Sequence, residues 1–329
     1  MMDWTDRHCR YFHRQITRHA WLYTEMVTTG ALLHGDVPRH LDYSEEEHPV
    51  ALQLGGSDPA DLARCAKLGE EWGYDEINLN CGCPSPRVQR GAFGACLMGE
   101  PALVADCVKA MRDAVSIDVT VKHRIGLERT EDYGFVRDFI GAVADSGCTT
   151  FIVHARNAIL HGLSPKENRE IPPLRYDFVY RLKKDFPALE IVLNGGVKTI
   201  GDIDVHLAHV DGVMIGREAY HNPWLMSDFD ARYYPSTAGN KAPVSRNDVI
   251  GKMVDYIAAR RHGRGLKGES LNSITRHMLG LMAGMPGARA YRQTLSDSKR
   301  LANGDAGLLY EALAKTDDAA ATFRTLDAA

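Results

Sequence analysis

The sequence predicts an α/β protein: a (β/α)8 barrel whose first strand is missing, followed by an all-α helical C-terminal domain. Three observations carry this expectation. Seven short β-branched runs alternate with helical stretches at intervals of roughly 20–40 residues, the pattern of a parallel sheet with helical crossovers. No G-x-G-x-x-G follows an early strand, which disfavours a doubly wound dinucleotide-binding sheet. Beyond residue 247 only helical patterns remain.

The expected strands are LYTEMV (22–27), PVALQL (49–54), EINLNC (76–81), DVTVKHR (118–124), TFIVHA (150–155), EIVLNGG (190–196) and DGVMIG (211–216). Between them, Asp58 can cap a helix with Pro59 at its first position and Gly73 at its stop, and Pro101 opens the next. Further helices are expected near 131–146, 175–185 and 199–208. A closed barrel of this type needs eight strands. The chain opens MMDWTDRHCRYFHRQITRHA, a loop and a helix, so the first strand is expected in a short segment upstream of Met1. Residues 229–247, rich in Pro, Gly, Ser and Asn, are expected to be a linker, with helices at 247–262, 270–283, 288–301, 307–314 and 318–326. The division is then a barrel over 1–235 and a helical domain over 236–329.

With 44% hydrophobic and 25% charged residues in a chain of 329, the composition is that of an ordinary globular protein. No apolar run approaches membrane-spanning length, and the N-terminal region lacks a signal-peptide core. Seven scattered cysteines, an odd number, argue for a reducing compartment rather than a disulfide framework, so a cytoplasmic location is expected. The net charge of −4 is unevenly spread. Residues 241–300 carry twelve Lys and Arg against four Asp and Glu, an excess of eight positive charges, which leaves −12 for the remainder. A basic module on an acidic body suggests a polyanionic partner, with an unevenly charged solvated surface as the plain alternative.

Active sites of such barrels lie where the strands end, so polar residues there are the candidates. Gln53, Asn80, Cys83, Lys122, Arg124, His154 and Arg156 stand at or near strand ends, as do Asn194-Gly195-Gly196 and Gly216-Arg217. The two glycine-bearing pairs suggest a phosphate held by backbone N–H groups after the last strands. Alternation places Thr120, Lys122 and Arg124 on one strand face. A buried ammonium is costly without a partner, so Lys122 calls for an anion, such as a reduced flavin, or for Schiff-base chemistry. His154 is either a satisfied core histidine or a cofactor ligand. The C-x-C of Cys81 and Cys83 has no second Cys/His pair at ligand spacing, which makes a poor zinc site, and no metal is expected. A redox dithiol would more usually be C-x-x-C. Cys83, in a Gly-Cys-Pro turn at the mouth, is placed for chemistry, whereas Cys81 sits where an ordinary apolar residue would do. Cys65, Cys96, Cys107 and Cys148 read as small hydrophobes.

NLNCGCPSPRVQRGAFGACLM (78–98), TVKHRIG (120–126), IVHARNAILHGLSPKENREIPPLRYD (152–177), LNGGV (193–197) and IGREAYHNPWL (215–225) resemble the tRNA-dihydrouridine synthases. The loop GLSPKENREIPPL resembles the branch acting on positions 20 and 20a of the tRNA D loop. The resemblance covers essentially the whole chain. It implies an FMN-holding barrel, a C-terminal helical bundle, and reduction of a tRNA uridine with NADPH. By this resemblance Cys83 matches the proton donor and Asn80 the asparagine at the uracil. Gln53, Lys122 and His154 match flavin ligands, and Asn194, Gly195, Gly196, Gly216 and Arg217 match the phosphate grip. The family's N-terminal A-P-M flavin motif is represented by Met1 alone. Arg169, Arg289 and Arg292 are the candidates for tRNA contact, with plain surface charge as the other reading. No membrane or obligate protein partner is expected. The competing functions are an FMN barrel oxidoreductase on a free dihydropyrimidine or dihydroorotate, a phosphosugar aldolase or isomerase using Lys122, and a tRNA-binding protein without catalysis.

Overall fold

The computed structural model describes residues 2–130, 132–238, 243–262 and 270–327; Met1, named above, lies outside them, as do Lys241, Arg264 and Lys267 of the basic stretch 241–300. The chain packs as two compact units. Trp21–Tyr43 and His48–Gly216 make up nearly all of one, and Asp3–Ala20, Ser44–Glu47 and the chain from Arg217 onward make up the other.

The first unit is a seven-stranded parallel sheet in sequential order: β1 Leu22–Thr28, β2 Val50–Gly55, β3 Glu76–Cys81, β4 Asp118–Arg124, β5 Thr150–His154, β6 Glu190–Asn194 and β7 Gly212–Met214. Every strand pairs with the next in parallel. A doubly wound sheet reverses its strand order partway, whereas an unbroken sequence of neighbours with helical returns is the barrel-like arrangement. The helices Pro59–Glu71, Pro101–Ala114, Tyr133–Ala144, Tyr176–Asp185 and Ile200–Leu207 make the returns. Their starts are chemical. Asp58 accepts from the Asp61 N–H ahead of Pro59, and Thr199 and Asp202 form a reciprocal capping box.

Side-chain alternation sorts the two faces of the sheet. A Cβ on Gly69, in helix Pro59–Glu71, would lie 2.6 Å from Ile77 Cδ1 and 2.8 Å from Leu52 Cδ2. Glycine thus lets this helix settle directly on the face carrying Leu52 and Ile77. Glu76, Asn78 and Asn80 therefore point to the opposite, inner face. That face is also buried, so its polar groups must find partners within the protein.

The second unit is helical among its described residues. Helix Arg7–Arg14 starts at Asp6, whose carboxylate accepts from the N–H groups of His8 and Cys9, and it buries Cys9, Phe12, Arg10 and Arg14. Helices Arg246–His262, Leu271–Thr275, Ala288–Leu295, Ser298–Ala302 and Leu308–Asp327 follow. The expected linker contains two short helices, Phe229–Tyr233 and Pro235–Ala238. The segment 270–283 is helical only to Thr275. Beyond it run i→i+3 turns through a stretch interrupted by Gly280, Gly284 and Pro286. The expected helix 288–301 breaks at Ser296, and Asp297 recaps it by accepting from Lys299 and Arg300. The pieces expected at 307–314 and 318–326 are one helix, Leu308–Asp327, because no Gly or Pro separates them.

Arg10 Nε lies 2.6 Å from Glu47 Oε2, with both side chains nearly inaccessible to solvent. Arg14 donates to the Glu47 and Thr17 carbonyls. Removing one partner of a buried pair strands the other charge. Arg10→Met is expected to lower stability by about 3–5 kcal/mol, read as a lower urea midpoint. An unchanged midpoint would show that the pair is dispensable.

Candidate active site

Strand β3 ends at Cys81, and the backbone turns through Gly82, Cys83 and Pro84. That turn is held at three points. Below it, buried Asn80 accepts through Oδ1 from the N–H of Gly82 at 3.1 Å and of Cys83 at 3.0 Å. From the side, Arg124 Nε donates to Gly82 O at 2.9 Å. From the following loop, the Ala95 N–H donates to Cys83 O at 2.9 Å. Gly94, at φ +74°, makes the last contact possible, since a Cβ there would lie 2.7 Å from Cys83 O and 2.4 Å from Val88 Cγ1. The Cys83 thiol is half-buried, whereas Cys81 is fully enclosed and burial pushes its thiol well above the ordinary value.

Next along the inner face, Lys122 stands in register with Asn80. Its ammonium donates to Asn194 Oδ1 at 3.2 Å, and Asn194 Nδ2 donates to Met214 O at 2.8 Å. The Met214 carbonyl orients that amide and so leaves its oxygen for the lysine. Among the described residues no carboxylate pairs with Lys122. Burial and the neighbouring Arg124 charge bring its pKa from 10.5 down to about 8, with Cys83 acting weakly in the opposite direction. Arg124 is likewise held by carbonyl oxygens, of Gly82, Asn157 and Asn168.

His154 ends β5 in register with Arg124 on one side and Asn194 on the other. Gly195 and Gly196 follow β6 at φ +114° and +78°. A Cβ on Gly195 would lie 3.0 Å from the His154 ring, and one on Gly196 would lie 2.5 Å from Tyr176 Oη. Tyr176 Oη itself donates to Gly195 O at 2.9 Å. The loop after β5 is tied by Asn168, whose side chain both accepts from Ile159 N–H and donates to Ile159 O at 2.8 Å, and by Arg156 donating to Pro172 O. Arg169, half-buried, ends the short turn Glu167–Arg169 beside Asn168. A cavity of about 400 Å³ opens at the C-terminal ends of β1 and β2, lined by Thr28, Gly55, Ser57 and Phe93 among others.

The inner face thus brings together Gln53, Asn80, Cys83, Lys122, His154, Asn194 and Gly195. Gly216 follows β7 in the same unit. Arg217 opens helix Arg217–His221 in the helical unit. Arg289 and Arg292 are exposed on helix Ala288–Leu295, on the side away from buried Tyr291 and Leu295. Sequence reasoning missed Glu76, Asn78 and Thr120, which hydrogen-bond beneath Gln53 and Asn80. The signal was present in the polar residues at positions i, i+2 and i+4 of EINLN. Among the described residues no cluster of three or more His, Cys, Asp or Glu side chains could hold a metal ion, and no helix is long and apolar enough to cross a membrane.

The family model described as dihydrouridine synthase matches residues 1–317. Curated relatives include the tRNA-dihydrouridine(20/20a) synthase of Pseudomonas aeruginosa, 61% identical over 296 residues, which cover 90% of this chain and 87% of that protein. The protein of the same name from Salmonella typhi is 58% identical over 314 residues, 95% of this chain and 92% of its own length. That of Escherichia coli K12 is 58% identical over 314 residues, covering 95% and 89%.

The depressed pKa of Lys122 has a consequence for stability. Between about pH 8 and 10.5 the unfolded chain binds a proton at this lysine that the native protein has released. Stability at this group therefore rises with pH across that window, and below it the buried charge is a cost. Lys122→Met should abolish that rise. Denaturant unfolding of both proteins from pH 7 to pH 10 checks it, and parallel pH profiles would refute it.

Proposed function

The chain belongs to the dihydrouridine synthase family, and we propose that it reduces uridine to 5,6-dihydrouridine at positions 20 and 20a of the tRNA D loop, using FMN and NADPH. The observation that carries this reading is the half-buried Cys83 thiol on an anchored turn, beside an ammonium, Lys122, that no carboxylate among the described residues neutralises. In this reading the seven-stranded sheet is the body of a (β/α)8 barrel within residues 1–235, and residues 236–329 form a helical tRNA-binding domain. The protein works in the cytoplasm without an obligate protein partner.

The residues present fit a flavin. Among the described residues Lys122 meets a neutral amide oxygen and a repelling arginine but no carboxylate, so an anionic ring edge is the counter-charge it lacks. Gln53, Asn80 and His154 lie on the same face. Gln53 and Asn80 each spend one amide N–H inside the protein, which leaves the second for a bound group. Gly195 and Gly196 pack so closely on His154, Leu174 and Tyr176 that a Cβ at either would crowd them, and their N–H groups, with Asn194, Gly216 and Arg217, suit a phosphate. FMN, when bound, supplies hydride to carbon 6 of the uracil and is restored by NADPH.

The remaining steps fall to the protein. Cys83 holds the proton that carbon 5 receives. Asn80 does double duty, fixing the Cys83 turn through its oxygen and offering an N–H to the uracil. A stacked base in the tRNA elbow cannot reach such a site, so the uridine is splayed out. Arg169, Arg289 and Arg292 hold phosphates and set the register of the tRNA.

The direct test is incubation of the purified chain with FMN, NADPH and unmodified tRNA, followed by mapping of dihydrouridine. Product is expected at positions 20 and 20a, and none at any position refutes the reading. Cys83→Ala should keep FMN bound and reducible by NADPH while dihydrouridine formation collapses; wild-type turnover would remove Cys83 from the mechanism. Arg289→Ala and Arg292→Ala should each weaken tRNA binding and reduce the slope of log K against log salt by about 1. A slope equal to that of the wild type would exclude the phosphate contact.

A further inference from the structure

Beneath Gln53 and Asn80 the inner face carries a series of hydrogen bonds that all run the same way. Asn80 Nδ2 donates to Gln53 Oε1, Gln53 Nε2 to Asn78 Oδ1, and Asn78 Nδ2 to Thr120 Oγ1, each at 2.8 Å. Thr120 Oγ1 then donates to Glu76 Oε1 at 2.6 Å. Tyr23 also donates to that oxygen, at 3.1 Å. All five members of the series are buried, Asn78 completely.

The direction of the series is fixed from both ends. At the mouth, Asn80 Oδ1 meets the N–H groups of Gly82 and Cys83, which can only donate. This forces the Asn80 NH₂ group toward Gln53. Gln53 must then present its oxygen to Asn80 and its nitrogen to Asn78, and Asn78 in turn must donate to Thr120. At the far end, an ionised Glu76 can only accept. Any amide turned the other way would set donor against donor or acceptor against acceptor in a buried place.

We propose that Glu76 and Thr120 are positioning residues for the reaction at Cys83: they terminate a one-way series of hydrogen bonds that locks the Asn80 amide under the Cys83 turn. This rests on the function proposed above. Neither residue needs to touch substrate or flavin. Thr120 is the junction, because its hydroxyl accepts from an amide and donates to a carboxylate, and no apolar residue of the same shape can do both. Burial raises the Glu76 carboxyl to about 7, against the donated bonds of Thr120 and Tyr23, with the Asp118 and Glu190 charges adding to the rise. As the pH falls through that region the carboxyl gains an O–H and becomes a donor as well as an acceptor, so the end no longer only accepts.

Thr120→Val and Thr120→Ser test the proposal, since valine keeps the shape and serine keeps the hydroxyl. The first readout needs neither tRNA nor flavin: the rate of Cys83 alkylation by iodoacetamide, followed by mass spectrometry of its peptide. Thr120→Val should alkylate severalfold faster as the turn loosens, while Thr120→Ser stays near the wild-type rate. The second readout is turnover on tRNA. Thr120→Val should lose about 10- to 100-fold in kcat with little change in KM, and it should lose the acid limb of the wild-type kcat profile near pH 7. Thr120→Ser should keep both. Should Thr120→Val fail to fold, Glu76→Met breaks the same series at its end and carries the same expectations. Wild-type alkylation in the broken variant overturns the proposal, and so do equal changes in the valine and serine variants, which would mark a packing effect. A wild-type chain that makes no dihydrouridine overturns the functional reading instead, and leaves the alkylation result to decide this one.

Discussion

A sheet buried on both faces has to satisfy every polar side chain it carries from within, because water cannot. Parallel sheets ordinarily meet this constraint by being apolar throughout. This one does not. Its outer face, with Leu52, Ile77 and Cys81, is apolar, but its inner face holds Gln53, Glu76, Asn78, Asn80, Thr120 and Lys122. Such a face is tolerable only because register brings donors opposite acceptors: Gln53 stands opposite Asn78, and Asn78 opposite Thr120. Strand pairing, which forms the fold, is thus also what satisfies the site. A slip of one residue in β3 would turn the amides toward the helices and Ile77 and Leu79 inward.

The buried cations are met in different ways. In the helical unit, Arg10 is paired with the Glu47 carboxylate, and burial raises the Glu47 pKa even so. In the sheet unit, Arg124 meets three carbonyl oxygens and Lys122 a single amide oxygen. A dipole offsets only part of the desolvation of a full charge. The sheet therefore carries uncompensated positive charge beside Cys83 that an anion entering from the mouth would neutralise. This is the economy expected of a binding site, in which stability is withheld from the empty protein and recovered with the ligand.

The strands were legible in the sequence because β-branched runs bounded by Gly and Pro leave little choice, and β3 and β4 fall on the expected residues. Helix starts such as Asp58-Pro59 were legible for the same local reason. Cys83, Lys122, Asn194 and the paired glycines stood out because each is a poor strand residue without a task. The positions of Glu76, Asn78 and Thr120 were equally visible, yet their connection was not. It depends on the register between β2, β3 and β4, a non-local property that no single window contains. The helical unit was read less well. The sequence divides Leu308–Asp327 where nothing breaks it, and the helix expected over 270–283 gives way to i→i+3 turns after Thr275. The membership of residues 3–20 and 44–47 in that unit is a matter of packing, which periodicity does not report.

The neighbouring thiols show how far two residues can separate chemistry. Cys81 is the last residue of β3 and shares its parity with Ile77 and Leu79, so it lies on the outer face, fully enclosed. Continued alternation would send the side chain at 83 the same way. It does not continue, because Asn80 Oδ1 gathers the N–H groups of both Gly82 and Cys83. An extended strand cannot aim two successive N–H groups at one acceptor, so this contact requires the backbone to turn. Gly82 tolerates the bend, Pro84 ends the pairing, and Arg124 fixes the carbonyl that the bend exposes. The asparagine that satisfies the floor of the site is thus also what breaks the strand and frees the second thiol from the fate of the first.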